Sequence, residues 1–225
     1  MLLENISDRS LLFEFWDNLV NIKEIDFDTF KQSNEHPIRK EIVKILRRGI
    51  KDGDRKRHAL SMKEILDEIN QLHKHWGKEA VKMTSLYYHR DLLIENKQMQ
   101  EVAVFLEGKR HVSYYGRTAK GFIASDLSNE DFLNFNSHII NLIQEFNPDM
   151  PKDEIINLFK HMKSKFDKQH QLIKNWIEEN SNILLKLDID IIDIYEKIST
   201  IYSYKKEIIE FNDEFARLLH LPDYF

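Results

Sequence analysis

The 225-residue chain is predicted to be mainly α-helical, with one β-hairpin set among its helices. Three observations predict this. Only six glycines and four prolines occur in the whole sequence, which leaves little material for tight turns and favours long helices. Apolar residues recur at three- and four-residue spacing along most of the length. The clear exception is "MQEVAVFLEGKRHVSYYGRT", where two β-rich runs, Val102 to Leu106 and His111 to Tyr115, flank a short loop containing Gly108.

Composition narrows the class. Hydrophobic residues make up 42% and charged residues 32%, a balance that belongs to globular rather than disordered chains. No apolar run approaches the roughly 18 residues that span a bilayer, so no membrane association is expected. The first residues, "MLLENISDRSLLFEFWDNLV", carry early acids and no basic stretch ahead of an apolar one, so no signal peptide is expected. The absence of cysteine excludes disulfides, thiolate metal sensing and thiol redox switching, and fits a cytoplasmic setting. The net charge of −5 hides a division. Residues 1–35 hold 3 basic and 8 acidic side chains, residues 36–121 hold 19 and 11, and residues 122–225 hold 11 and 19. A basic middle between acidic flanks is the pattern of one module that meets a polyanion.

The elements follow in order. Leu11, Leu12, Phe15, Trp16, Leu19 and Ile22 form a helical stripe in an N-terminal arm, residues 1–35, that packs on the body or on a second subunit. In "HPIRKEIVKILRRGI", Pro37 suits a first helical turn. Ile38, Ile42, Ile45 and Leu46 form its buried face, and Arg39, Lys40, Lys44, Arg47 and Arg48 its solvent face. "KDGDRKRH" reads as a charged turn. Ser61 with Glu64 three residues later is a capping-box signature, and Met62, Ile65, Leu66 and Ile69 continue into a second helix. "KMTSLYYHRDLLIENKQ" is a third, starting at Met83 or Thr84, with Leu86, Leu93 and Ile94 turned inward. The hairpin follows, its tip carrying Lys109, Arg110 and His111. Beyond it the chain is all-helical. Ser128 and Asp131 stand at cap spacing. A long run from Lys152 carries Ile155, Phe159, Met162, Phe166, Ile173, Trp176 and Ile177, interrupted at Gln169–His170, and two further helical stretches fill residues 183–220.

Three helices and a hairpin within about 85 residues are the layout of a winged helix-turn-helix. A helix fits the major groove and sets several side chains against base edges, and a basic loop beside it lies along phosphates. The predicted organisation is therefore an arm at 1–35, a winged helix-turn-helix DNA-binding domain at 36–123, and a helical C-terminal region at 124–225. The apolar stripe of that region packs either on the chain's own last helices or, the favoured reading, on a second copy as a dimerisation surface.

The same residues resemble a family. "LYYHRDLLIENKQM" resembles the "LYYHLxxLxxxGLI" recognition helix of ArsR-type (arsenic-repressor-like) winged-helix regulators, archaeal ones in particular. "HPIRKEIVKIL" resembles their opening "HPxRxxIL" helix, and "VSYYGRTAKGF" the end of their wing. The resemblance covers about residues 36–123. It implies a sequence-specific transcription regulator that binds double-stranded DNA as a homodimer. It places Thr84, Ser85, Tyr87, Tyr88 and His89 at recognition-helix positions that face DNA. Thr84 and Ser85 stand near the helix N-terminus, which favours phosphate. Tyr88 and His89 are positioned for backbone or a thymine methyl, while Tyr87 serves equally well in packing on the hairpin. Lys109 and Arg110 are the wing candidates. Lys82, Arg39, Lys40 and Arg55 to Arg57 are phosphate candidates at the margins. Two departures stand out: Arg90 where the family has leucine, and Asn96–Lys97 where it has a glycine that ends the helix, asparagine being tolerant of a left-handed cap.

Other chemistries find less support. His73 and His75 do not share a helix face, and His161 and His170 are more than two turns apart, so no metal site is expected. Asp188 and Asp190 read as helix-start acids. No phosphate loop, nucleophile elbow or metalloprotease motif occurs, so neither an enzyme nor a cofactor is expected. The competing readings are a winged-helix protein–protein interaction scaffold that binds no DNA, and an RNA binder.

Overall fold

A computed structural model describes residues 9–187, 189–203, 213–214 and 216–220. The described residues are mainly helical, with three small sheets. Helix α1 spans Leu11–Asp17 and ends where the Asn18 side chain donates to the Glu14 carbonyl. The expected stripe therefore stops short of Leu19 and Ile22. Ile22 instead opens strand β1, Ile22–Ile25, because this segment pairs in parallel with Gly121 to Ala124. Helix α2, Phe27–Glu35, begins at Asp26, whose carboxylate accepts from the Thr29 amide at 3.0 Å. Pro37 takes the first position of α3, Pro37–Arg48.

The segment read as a charged turn is a miniature hairpin, β2 (Ile50–Asp52) with β3 (Arg55–Arg57). Its two-residue loop sets Gly53 at φ 63°, a Gly-first arrangement whose twist suits a hairpin. Strand β4, Leu60–Ser61, runs into α4, Met62–His75, through the expected capping box, with both reciprocal Ser61 and Glu64 bonds present. Helix α5, Met83–Glu95, leads to β5, Met99–Glu107, and β6, Arg110–Arg117. The sheet order is β4-β6-β5, all antiparallel. Strand β7, Gly121–Ala124, closes the pairing with β1.

Five more helices follow: α6 (Asn129–Phe135), α7 (Ser137–Phe146), α8 (Lys152–Glu179), α9 (Ser181–Leu184) and α10 (Ile191–Ser203). Ser128 caps α6 by accepting from the Asp131 amide. Helix α8 is continuous through Gln169–His170. There His170 is buried, its Nδ1 2.6 Å from the Tyr195 hydroxyl. Most of the last expected stretch, "KKEIIEFNDEFARLLHL", lies outside the described residues. No described helix is long and apolar enough to cross a membrane.

The chain divides into two compact units. The first is Met1–Ala124 with Ser181–Ile191. Its core joins Ile42, Ile45 and Leu46 of α3, Ile65 and Ile69 of α4, and Leu86 and Leu93 of α5 beneath Met99 and Tyr115 of the sheet. Each such aliphatic side chain contributes about 1.5–3 kcal/mol on burial. A second cluster docks α1 on the other face of the hairpin: Leu12 with Ala59, Phe105 and Tyr114. The arm therefore packs on the chain's own body. Gly116 is needed there, since a Cβ at that position would lie 2.3 Å from the Phe15 ring. Arg117 is fully buried, donates to Asp190 at 2.9 Å and lies over the Phe122 ring at 4.5 Å. Asp190 is thus the partner of a buried arginine as well as the residue before α10, while Asp188 lies outside the described residues.

The second unit is Ser125–Asn180 with Ile192–Phe225. Ile155 and Phe159 of α8 pack against Ile140 and Ile143 of α7 and Leu218. The α8 stripe expected to meet a second copy is split. Ile155, Phe159, Ile173 and Ile177 are buried, whereas Phe166 and Trp176 are exposed.

Candidate nucleic-acid interface

Helix α5 carries two faces because its apolar residues serve only one side. Leu86 and Leu93 are fully buried against α3 and α4. Ile94, expected inward, is exposed at 39%. On the outer side Thr84 and Lys82 are exposed, Ser85 is half-buried, and Tyr87 and Tyr88 are exposed at 41% and 62%. Lys82 is the N-cap and makes no side-chain cap bond. The first amides of the helix are therefore open on the same end as Thr84 and Ser85.

His89 does not belong to that outer face. It is 4% exposed, its ring centre 4.2 Å from that of His36, the N-cap of α3, with the two planes tilted by 40°, and edge-on to Tyr88 at 5.3 Å. Burial, followed by the positive fields of His36 and Arg39, lowers its pKa to about 4. Burial and Arg39 lower that of His36 as well. The placement of His89 as a DNA-facing residue is corrected: its one apolar-facing turn position is filled by the imidazole, which braces α5 against α3. Arg39 is half-buried and donates to the Gln32 carbonyl. Arg57 is also turned inward. It binds Asp52 at 3.0 Å, the Ala59 carbonyl at 2.8 Å and Glu64, and lies 5.5 Å from the Tyr114 ring centre. Lys56 and Arg55 remain exposed, with the Arg55 guanidinium 4.5 Å over Phe13.

Arg90 shows what replaces the expected apolar residue. Its guanidinium donates to Asp91 at 2.6 and 2.8 Å and to the Tyr115 hydroxyl at 3.2 Å. It lies 4.7 Å from the centre of the Tyr87 ring and 5.4 Å from that of Tyr115. The stem is covered and the charge is stacked between two aromatics. Tyr87 thus reaches the hairpin through Arg90 while one face stays open. At the exit of α5, Lys97 takes the left-handed position with φ 55°, not Asn96. The amide of Gln98 donates to Leu93 and that of Lys97 to Ile94, a Schellman end built without glycine.

The hairpin tip is a two-residue loop between Glu107 and Arg110, with Gly108 at φ 64°. Lys109, Arg110 and His111 are exposed. Glu107 is already engaged, accepting from Arg9 and from the Tyr114 hydroxyl, each at 2.6 Å. Burial, followed by that carboxylate, pushes the Tyr114 pKa up to about 12. Among the described residues, Lys109 and Arg110 have no side-chain partner. Cross-strand partners share a face, so Leu106 opposite His111 and Val104 opposite Ser113 continue the side of β6 that presents Tyr115 to α5. Leu106 and Val104 are both exposed there.

Site features hidden from the sequence are the contacts of Arg90 and the His36–His89 ring contact. The only written signal was the departure of Arg90 from the family pattern. No group of three or more metal-capable side chains gathers among the described residues. No protein-family model and no curated protein matches the chain.

Proposed function

We propose that the chain is a winged helix-turn-helix regulator of transcription that binds specific double-stranded DNA as a homodimer in the cytoplasm, without catalytic activity. The observation that carries this reading is the arrangement of α3, α4, α5 and the β4-β6-β5 sheet, in which α5 turns Thr84 and Tyr88 outward and the basic hairpin tip has no side-chain partner among the described residues. In this reading α5 enters the major groove. Thr84, Ser85 and the open amides at its start hold a phosphate or a base edge, and Tyr88 and Tyr87 contact backbone or thymine methyls. Lys82, Lys109 and Arg110 supply phosphate charge. The resemblance to ArsR-type regulators supports the same assignment for residues 36–123. Fluorescence anisotropy with genomic fragments, including the gene's own upstream region, tests it. Saturable binding to a subset of fragments, weakening steeply with salt, is expected. Equal retention of all fragments, or none at low salt, rules it out.

The scaffold reading keeps one specific observation. Val104 and Leu106 are exposed on the hairpin, and an apolar wing face suits a protein partner as well as a groove wall. Capture of a partner protein with no DNA retained at low salt would favour it.

A further inference from the structure

Three buried side-chain nitrogens without a hydrogen-bond partner gather at the start of α3: Nδ1 of His36, Nε of Arg39 and Nδ1 of His89. The rings of His36 and His89 touch, with centres 4.2 Å apart. Arg39 follows His36 by three residues and shares its side of the helix. Burial, then neighbouring positive charge, lowers both imidazole pKa values: Arg39 acts on His36, and His36 and Arg39 act on His89. Arg39 uses its Nη2 on the Gln32 carbonyl, which leaves Nε over. His36 is the N-cap but makes no side-chain cap bond. Pro37 brings no N–H, so the amides of Ile38 and Arg39 are the first donors of the helix. Buried donors are almost always paired, yet here one nitrogen on each of three adjoining side chains is not.

We propose that this cluster is a binding site for a phosphate group, seated at the N-terminus of α3 against His89 of α5. A neutral imidazole with its proton on Nδ1 is a donor at that atom, so the site offers three side-chain N–H groups and the formal charge of Arg39. Donors from three side chains on two helices suit an oxyanion with several acceptor oxygens. The start of α3 adds the positive end of its dipole. A metal ion would find two imidazoles, but also a guanidinium that repels it. His36 and Arg39 are half-buried and Pro37 is exposed, so the cluster lies close to the surface, and a turn of the His36 ring admits the ligand. A phosphate held there joins α3 to α5 through His36, Arg39 and His89. It belongs either to a free ion or to a nucleic-acid backbone. Only the second source rests on the proposed function, so the free-phosphate titration stands whether or not the chain binds DNA.

The experiment is imidazole NMR on the full chain, which has ten histidines, labelled with nitrogen-15. Inorganic phosphate is titrated at neutral pH, with ionic strength held constant by chloride, and His36→Gln and His89→Gln assign the signals. The His36 and His89 signals should shift together and saturate while the other histidines hold still. Arg39→Gln, at a half-buried position, should keep its helicity by far-UV circular dichroism and bind phosphate about tenfold more weakly. Phosphate should raise the thermal unfolding midpoint of wild type more than that of Arg39→Gln, a readout that needs neither histidine variant to fold. A short DNA duplex in place of phosphate separates the sources. If it moves the same two signals, a backbone phosphate fills the seat; if free phosphate alone moves them, the ligand is the ion. The proposal is overturned if neither brings the two signals to saturation, or if chloride moves them equally. It is also overturned if zinc ion shifts the pair where phosphate does not, or if Arg39→Gln binds phosphate as tightly as wild type.

Discussion

Neutralising the hairpin tip separates electrostatic contact from structure. Lys109 and Arg110 are exposed, stand at the end of a two-residue loop, and have no side-chain partner among the described residues, because Glu107 is taken by Arg9 and Tyr114. The double substitution Lys109→Ala, Arg110→Ala should therefore change folding stability by no more than about 0.5 kcal/mol. Its effect on DNA should be large and of one kind. Each phosphate contact contributes about 0.9 to the slope of log affinity against log salt, so two lost contacts lower that slope by about 1.8 per protomer. A fourfold rise in salt, from 50 to 200 mM, is about 0.6 in the logarithm. Across that range wild type should lose about tenfold more affinity per protomer than the variant, and about a hundredfold more if both wings of a dimer engage. The assay is anisotropy titration of one labelled duplex at four salt concentrations. Loss of affinity with an unchanged slope would mean the tip acts through shape rather than charge. No change in either would remove the hairpin from the interface.

Three further outcomes follow from the packing. The folded His89 pKa of about 4 lies below the ordinary value of 6.5, so the unfolded chain takes up protons that the folded chain refuses. This stability term is intact above pH 6.5 and is lost as pH falls from 6.5 towards 4. By pH 5 the loss is about 1–2 kcal/mol once solvent screening at the half-exposed His36 is allowed for, and urea unfolding of His89→Gln should show a shallower decline than wild type. Gly116→Ala forces a methyl against the Phe15 ring and should cost about 1–3 kcal/mol in thermal unfolding, with part of the loss recovered in a Phe15→Leu background. Lys97→Gly relieves a left-handed lysine and should stabilise by about 0.5–1 kcal/mol; a loss instead would show that the lysine stem contributes more than the strain costs.

The parts of the fold legible in the sequence are those set by neighbours in the chain. Pro37 starts α3, Ser61 and Glu64 cap α4, Ser128 caps α6, and Gly108 turns the hairpin, each from a signal a few residues long. Missed features depend on partners far away. Ile22 continues a helical stripe on paper, but pairing with Gly121 makes it a strand. Gly53 announces a hairpin, yet the charge of its flanks hides it. Arginine is a surface residue by default, so the inward turns of Arg57 and Arg117 could not be read without Glu64 beneath one and Asp190 beside the other. The candidate site divides along the same line. Tyr88 and Thr84 are exposed as the periodicity of α5 requires, whereas His89 follows that periodicity only when the imidazole is counted as a core residue.

The restraints on α5 carry an energetic consequence for the proposed reading. The helix is held by Leu86 and Leu93 in the core, by His89 against His36, by its Schellman exit, and by Arg90 between Tyr87 and Tyr115. The last of these ties it to β6, the strand that rises from the hairpin tip. The outward residues of α5 and the basic tip are therefore parts of one rigid piece. Binding with such a piece spends little on ordering the chain, and side-chain ordering would otherwise cost about 0.5–1.5 kcal/mol for each immobilised residue. Arg90 in place of leucine gives up aliphatic burial within the helix and gains a fixed angle between helix and hairpin. Rigidity of that kind favours discrimination between sites over adaptation to many, because a helix and wing locked together cannot re-aim when one half-site departs from the fitted sequence.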